Sequence, residues 1–334
     1  MPEKSPYQQL AESVGMGTSP TISNILKVLA NEDEAKILLA ASPPANIEEI
    51  AQKTGLKKET VEKMVDPLFR KGLLFKSKKD DHLRYYRFRN FAQLHDATAV
   101  AKNPSQEMLD LWKEFMHNEW PEHLNNIKKI LPKPFMRVIP VNISIEPSAQ
   151  IMAPDDVKKV IDNASNIAVT NCACRVIDGK CGSPMEVCIQ VNRAADYSVE
   201  RGTGRKISKE NAIEILKKCE KEGLVHVADN KHPVANTICN CCYDCCLNWE
   251  GLRTANMTKL AAPSRFVAVI DIDRCTSCGI CLDRCHFGAI NMKGEHETAC
   301  VTEENCMGCG LCAVTCPEAI ITLKETKSVD FIPQ

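Results

Sequence analysis

Apolar residues in the first third of the chain recur at helical spacing and then alternate with basic residues. Three segments with apolar positions three or four residues apart cover residues 23–41, 46–55 and 57–72, the first of them broken near Asn31. A stretch that alternates apolar and basic residues follows, and Asp80 and Asp81 interrupt it. The pattern predicts three helices and then a β-hairpin that turns at these two aspartates.

The pattern changes twice further along the chain. An amphipathic helix is predicted over Gln106–Trp120, followed by a proline-rich extended connector that carries one short strand and reaches Pro147. A buried strand is then predicted just before Cys172. Ser208 is the expected N-cap of a helix that ends at Gly223, with another strand after it. Helices and strands therefore mix in one chain, which predicts an α+β fold.

Cysteine is the unusual feature of the composition. The chain has 19 cysteines among 334 residues, an odd number grouped at metal-ligand spacings, which favours bound metal over a disulfide framework. No apolar run approaches the length of a membrane span, and the first residues lack the basic and apolar segments of a secretory signal. Because metal-binding thiolates need reducing conditions, we expect a cytoplasmic protein of an anaerobic or microaerophilic organism and no membrane partner.

Eight cysteines near the C-terminus form two copies of one spacing, C-x2-C-x2-C-x3-C. They are Cys275, Cys278, Cys281 and Cys285 in the first copy, and Cys306, Cys309, Cys312 and Cys316 in the second, which Pro317 follows. The first three thiolates of such a run can occupy three corners of one [4Fe–4S] cluster, while the fourth points away. Paired zinc knuckles are the alternative, but zinc sites use separate C-x2-C pairs rather than interleaved quartets.

These two runs resemble the bacterial two-cluster ferredoxins, over roughly the last fifth of the chain. The resemblance implies two [4Fe–4S] clusters with crossed fourth ligands: Cys275, Cys278, Cys281 and Cys316 for one, and Cys306, Cys309, Cys312 and Cys285 for the other. The chain departs from the family at His286, which replaces a proline. A histidine ring near the cluster would make its potential depend on pH, whereas a solvated ring would not.

Charge is distributed unevenly along the chain. From residue 266 onward there are ten acidic residues and five basic ones, which predicts a redox partner with a basic docking surface. Residues 57–89 have the opposite bias, with eleven basic residues and five acidic ones. Each end of the chain is therefore expected to meet a partner of opposite charge.

Three helices followed by a basic hairpin are typical of a winged helix-turn-helix, and this region resembles those of small bacterial repressors. DNA binding through residues 57–89 fits that resemblance. However, Pro67 should bend the recognition helix, and Glu59 and Glu62 at its leading end would repel phosphate. Because winged helices also dock proteins, DNA binding and protein docking both stay open.

A second group of cysteines lies in the middle of the chain. Cys172, Cys174, Cys181 and Cys188 follow a predicted strand and are expected in a loop, and Cys239, Cys242 and Cys245 repeat the C-x2-C-x2-C spacing. We predict a third [4Fe–4S] cluster held by the later three with a fourth ligand from the earlier four. The alternatives are a tetrathiolate site in each group, and zinc instead of iron. Cys219 is predicted in a helix core, and Cys300 as a buried thiol.

The sequence thus predicts four regions: a winged helix over 20–98, a connector over 104–150, a cysteine-rich α+β domain over 151–262 and a two-cluster ferredoxin domain over 263–334. The expected function is low-potential electron transfer, either as a carrier or as a subunit of an anaerobic oxidoreductase. A redox-sensing transcription regulator is one alternative, and an enzyme whose middle cluster binds substrate is another. No nucleophile with a base and no nucleotide-binding fold is evident, so catalysis is left undecided.

Overall fold

The computed structural model describes residues 4–124, 134–141, 156–231, 234, 236–250, 261–294 and 297–332. The chain forms two compact units. The first contains Met1–Asn126, Ala173–Gly179 and Tyr197–Gly204, and the second contains Ile127–Cys172, Lys180–Asp196 and Arg205–Gln334. The cysteine-rich middle of the chain, apart from these two short segments, therefore belongs to the same unit as the tail.

The N-terminal part of the first unit is mainly helical. Its helices are α1 (Pro6–Glu12), α2 (Pro20–Leu29), α3 (Glu32–Ala40), α4 (Ile47–Thr54), α5 (Lys58–Arg70), α6 (Phe91–Ala99) and α7 (Gln106–Glu114). Residues 23–41, predicted as one interrupted helix, belong to two, because Asn31 caps α3. Its side chain accepts from the Glu34 N–H at 2.9 Å, and the Glu34 carboxylate accepts from the Asn31 N–H at 2.9 Å.

The predicted hairpin is confirmed. Strands β1 (Leu74–Lys79) and β2 (His82–Arg87) pair antiparallel, and both residues between them have positive φ, 50° at Asp80 and 59° at Asp81. Positive φ at both central positions is typical of the tight turn whose twist matches that of the strands. Helix α5 runs through Pro67 to Arg70, so this proline does not end the helix. The amphipathic helix α7 is confirmed and continues as a π-helical turn, Phe115–Glu119.

The segment Tyr197–Gly204 is fastened to α5 and β1 through Arg201. Its guanidinium donates to the carbonyl oxygens of Phe69 and Leu74, each at 2.8 Å, and lies 4.3 Å from the ring centre of Phe75. Burial lowers the pKa of Arg201 to about 10. A buried cation with charge-assisted hydrogen bonds to two backbone oxygens and an aromatic face beside it holds this segment in the first unit.

A seven-stranded sheet organises the second unit. Its strands are β3 (Met136–Val138), β4 (Ile167–Asn171), β5 (Glu186–Val191), β6 (Gly204–Lys206), β7 (Val225–Asp229), β8 (Thr237–Cys241) and β9 (Ala261–Ala262), in the order β6-β4-β5-β8-β7-β3-β9. The pairs β4–β5, β5–β8, β7–β8 and β3–β7 are antiparallel, and β3–β9 is parallel. The predicted strands before Cys172 and after Gly223 are confirmed as β4 and β7, and the connector strand as β3. Of the predicted connector, residues 125–133 and 142–150 lie outside the described residues.

Helices α8 (Val157–Asn163) and α11 (Lys209–Lys221) pack on this sheet. Ile161 of α8 and Leu216 of α11 are fully buried in one core with Ile189 of the sheet. The Ser208 side chain accepts from the Asn211 N–H at 3.2 Å, which confirms the predicted cap, and Cys219 is fully buried as predicted. Two more helices lie between these elements in sequence, α9 (Ala173–Asp178) and α10 (Arg193–Arg201).

The tail repeats a strand–helix–strand arrangement. Strand β10 (Phe266–Ile270) pairs with β13 (Ile321–Glu325), and β11 (Ile290–Lys293) pairs with β12 (Thr298–Val301). Short helices α12 (Ile280–Arg284) and α13 (Leu311–Thr315) lie between them. The chain is thus a mixed α+β protein, and no helix in the described ranges is long and apolar enough to cross a membrane. Cys300 lies in the hairpin but is only partly buried, so the prediction of a buried thiol there is wrong.

Candidate metal centres

The first cysteine set of the tail combines both runs. Cys275 and Cys278 precede α12, and Cys281 lies within it. Burial raises the pKa of the Cys281 thiol, and the thiols of Cys278, Cys275 and Cys316 raise it further. Thiols influence one another in this way only when they are close in a weakly solvated place. The structure therefore brings Cys316, from the second run, to the loop that holds the first three cysteines.

The second set has the reciprocal composition. Burial raises the pKa of Cys309 to about 12, and Cys285 and Cys306 contribute to that increase. Burial also raises the pKa of Cys312 well above its ordinary value, followed by contributions from the thiols of Cys309, Cys306 and Cys285 and lastly from Cys281 of the first set. The N–H of Ala289 donates to the Cys285 sulfur at 3.3 Å. Two sets of four thiols, one with a backbone donor aimed at its sulfur, fit the ligands that [4Fe–4S] clusters require.

The two sets differ in exposure. Cys278 is exposed, and Ile272 and Ile280 in the same segment of the chain are 55% and 43% exposed. In contrast, Cys312 of the second set is buried, and its partners Cys285, Cys306 and Cys309 are partly buried. One set therefore meets solvent at an apolar surface, while the other, called the enclosed set below, has no exposed cysteine.

A network of backbone hydrogen bonds holds the loop of the enclosed set. The Ser264 hydroxyl donates to the Gly308 oxygen at 2.7 Å and accepts from the Phe266 N–H at 3.1 Å. The Val141 N–H donates to the Cys309 oxygen at 2.9 Å. Neither Ser264 nor Val141 has a distinctive sequence signal, because a lone serine or valine far from a cysteine run is common in any domain.

In the middle region three thiols converge. The sulfur atoms of Cys181, Cys242 and Cys245 all lie within 4.8 Å of one another, and those of Cys181 and Cys242 are 3.5 Å apart. Burial acts to raise the pKa of Cys181, but hydrogen bonds with the side chain and backbone of Ser183 and with the thiols of Cys245 and Cys242 together outweigh it and leave this pKa lowered. Burial raises the pKa of Cys245 to about 12. The structure thus joins one cysteine of the earlier group to two of the later group.

A second thiol group lies at one end of the sheet, where β4, β5 and β8 are neighbours. The pKa of the Cys188 thiol is well above its ordinary value, first because of hydrogen bonds with Cys172 and Cys239 and then because of burial. Hydrogen bonds with Cys239 and Cys246, with burial, likewise raise the pKa of Cys241. Each thiol of this group is hydrogen-bonded to at least one other, and the group draws on both sets of middle cysteines: Cys172, Cys188, Cys239, Cys241 and Cys246.

The loop predicted for the earlier cysteines is only partly present. Cys174 lies in helix α9, within a segment of the first unit, and Cys188 lies in strand β5. Cys172 directly follows β4, and Cys181 lies between α9 and β5. The glycines and proline near Cys181 marked a loop correctly there, but the six residues of α9 and the strand at Cys188 were missed.

His286 connects the tail to the middle region. Its Nε2 donates to the Gly223 oxygen at 2.8 Å, and its ring stacks on Tyr243 with the centroids 5.7 Å apart. Next to it, Phe287 packs edge-on against Trp249 at 5.2 Å. The alternative of a solvated histidine is therefore wrong, because this side chain is half-buried and hydrogen-bonded. Tyr243 lies between Cys242 and Cys245, and its part in this contact has no sequence signal.

A family model described as a 4Fe–4S dicluster domain matches residues 274–320. No curated protein and no solved structure matches the chain. The C-terminal region is thus a ferredoxin-like domain that binds iron–sulfur clusters, and iron–sulfur electron transfer is its general role.

Proposed function

We propose that the chain is a low-potential one-electron carrier or an electron-transfer subunit of an anaerobic oxidoreductase, working in the cytoplasm. In this proposal Cys275, Cys278, Cys281 and Cys316 bind one [4Fe–4S] cluster, and Cys306, Cys309, Cys312 and Cys285 bind the other. The single observation that supports it best is the crossed proximity of Cys316 and Cys285 to the opposite runs. The clusters supply reversible one-electron chemistry.

The exposed set offers the contact with an external partner. Cys278 and its neighbour Ile280 reach solvent, and acidic side chains at Asp271, Asp273 and Asp283 are exposed near them in sequence. An apolar patch beside acidic groups suits a transient complex, since the charges steer a basic partner and the apolar contact brings the redox centres together. We therefore propose a redox protein with a basic docking surface as the partner.

The enclosed set offers the contact with the middle region. The stack of His286 on Tyr243 and the contact of Phe287 with Trp249 join the chain after Cys285 to the segment that carries Cys242 and Cys245. A metal centre in that segment, either a third [4Fe–4S] cluster or zinc, would lie beside the enclosed tail set. We therefore propose that the chain exchanges electrons with an external partner near Cys278 and contacts its own middle cysteines through the enclosed set.

Anaerobic purification followed by iron and sulfide determination tests this proposal. We expect about eight iron and eight sulfide per chain from the tail alone, and about twelve of each if the middle region holds a third cubane. Dithionite should reduce the tail clusters by one electron each, which electron paramagnetic resonance and reductive titration both measure. Protein that contains zinc in the tail, with fewer than about two iron atoms per chain, would contradict the proposal.

A weak, non-specific interaction with DNA is the second candidate, proposed through residues 57–89. Five basic side chains of this segment form ion pairs within the first unit: Lys58 with Glu48, Arg70 with Asp66, Lys71 with Glu34, Lys76 with Glu200 and Arg84 with Glu49. The exposed Lys78 and Lys79 at the end of β1 extend the positive charge to the hairpin tip. Ion-paired side chains are less available to phosphates, so this supports protein docking as the main role of a winged-helix region.

We expect the intact protein to bind unrelated duplexes with equal affinity. With about three phosphate contacts the affinity should fall roughly forty-fold between 50 and 200 mM salt, because counterions are released on binding. Fluorescence anisotropy with two labelled duplexes measures both properties, and replacing Lys78 and Lys79 by alanine should weaken binding while Lys36→Ala should not. Nanomolar binding to one sequence at physiological salt, lost when the clusters are oxidised, would instead support a redox-sensing regulator.

A further inference from the structure

The sulfur atoms of three middle cysteines lie closer to one another than those of the tail cysteines do. Cys181, Cys242 and Cys245 have all three sulfur atoms within 4.8 Å of one another, and in the described parts of the chain no other three ligating side chains of histidine, cysteine, aspartate or glutamate come so close. The eight tail cysteines are all described, so they serve as a reference within the same molecule. Their sulfurs are neighbours but do not converge to this degree.

This difference has a simple geometric meaning. A single zinc ion lies about 2.3 Å from each thiolate, so tetrahedral ligands have sulfurs about 3.8 Å apart. In a [4Fe–4S] cluster each cysteine binds a different iron, and the inorganic core separates the cysteine sulfurs further. The 3.5 Å between the sulfurs of Cys181 and Cys242 therefore matches one shared ion. It does not match separate corners of a cubane.

The surroundings of the trio also suit a single ion. Cys242 and Cys245 are buried, and Cys181 is half-buried. Ser183 hydrogen-bonds to Cys181, an outer contact of the kind that orients a metal ligand. Thiolates are soft ligands that select zinc over magnesium or calcium. With three ligands among the described side chains, a tetrahedral ion would have its fourth position open to an external ligand on the less buried side, at Cys181.

We propose that Cys181, Cys242 and Cys245 bind one zinc ion, with a fourth coordination position open to an exogenous thiol or water. Loading the site converts three thiols to thiolates and releases three protons to solvent. The three thiolates more than offset the charge of the incoming Zn²⁺, so the complex has a net charge of one minus. The second group, in which Cys188 contacts Cys172 and Cys239, is separate from this ion. The proposal goes beyond electron transfer and does not depend on the tail clusters.

Elemental analysis of three purified variants tests the assignment. We expect the anaerobically purified wild-type chain to contain about one zinc with its tail iron. Cys181→Ala and Cys245→Ala should each lose zinc and keep the tail iron, while Cys300→Ala, which removes a partly buried thiol of the tail hairpin, should keep both. Wild-type protein with about twelve iron atoms and no zinc would overturn the proposal in favour of a third cubane.

Cobalt substitution tests the geometry without relying on variants that fold. Wild-type protein stripped of zinc with a chelator and titrated with Co²⁺ should bind one ion with thiolate-to-cobalt charge transfer and the visible bands of a tetrahedral site. Adding a small thiol should shift those bands, because the fourth position is open. Two results would overturn the proposal: a spectrum without tetrahedral bands, and cobalt binding that Cys188→Ala abolishes but Cys181→Ala leaves unchanged. Bands that do not respond to a small thiol would overturn the open fourth position.

Discussion

Replacing Cys285 by alanine is expected to remove the cluster that Cys306, Cys309 and Cys312 bind, and to leave the cluster of its own run in place. The reason is that Cys285 lies with Cys309 and Cys312, while Cys316 lies with Cys281. Tail iron should fall from about eight to about four atoms per chain. The matched variant Cys316→Ala should lose the same amount of iron from the other set.

Double variants identify which cluster is lost. Adding Cys309→Ala to Cys285→Ala should cause no further loss, because both residues serve the same cluster, whereas adding Cys278→Ala should remove the remaining iron. Iron determination and the visible absorption of anaerobic samples measure these outcomes. If the combination of Cys285→Ala with Cys278→Ala keeps about four iron atoms, the fourth ligands are not crossed.

Replacing Gly308 by alanine is expected to unfold the tail locally and to prevent loading of the enclosed set. Gly308 has a φ of +62°, and a Cβ there would lie 2.1 Å from the Phe266 oxygen and 2.2 Å from the Ser264 hydroxyl. The Phe266 oxygen is backbone of β10 and cannot rotate away. We expect a loss of at least about 4 kcal/mol in the free energy of unfolding, at the extreme of what single substitutions cause.

Gly288→Ala is the matched control for this substitution. Gly288 has nearly the same φ, +60°, but a Cβ there meets nothing within 4 Å. It should therefore incur only the strain of a left-handed backbone, about 1–2 kcal/mol. Anaerobic denaturant unfolding followed by cluster absorbance separates the two. Equal stability and equal iron content in both variants would show that the loop around Gly308 can move away from β10.

The two cysteine sets of the tail differ in exposure, and this difference indicates which of them would exchange electrons with an external partner. An exposed set next to acidic residues suits exchange with a partner, and an enclosed set beside Tyr243 and Trp249 suits exchange with the middle region. If the middle site holds zinc, which carries no electrons, the middle region binds a ligand there and does not accept electrons from the enclosed cluster. The enclosed cluster would then supply the redox change to that ligand.

The iron–sulfur character of the tail could be predicted from the spacing of its cysteines alone. The spacing of its cysteines is local, and a C-x2-C-x2-C loop brings three thiols together whatever surrounds it, so residues 274–320 were identifiable as an iron–sulfur domain. The hairpin at Asp80 and Asp81, the cap at Ser208 and the helical stripes also follow from local chemistry. Each depends on residues within a few positions of one another.

The grouping of the middle cysteines depends instead on how distant parts of the chain pack together. Cys239 lies in β8, and an extended strand moves the chain about 3.3 Å per residue, so the three positions to Cys242 carry it about 10 Å away instead of around a compact loop. The same spacing that gathers thiols in the tail therefore separates them here. Cys181 joins Cys242 and Cys245 in their place, and Cys239 meets Cys188 and, through it, Cys172, because β4, β5 and β8 are neighbours in the sheet. Strand order is set by long-range packing, which no spacing along the chain records.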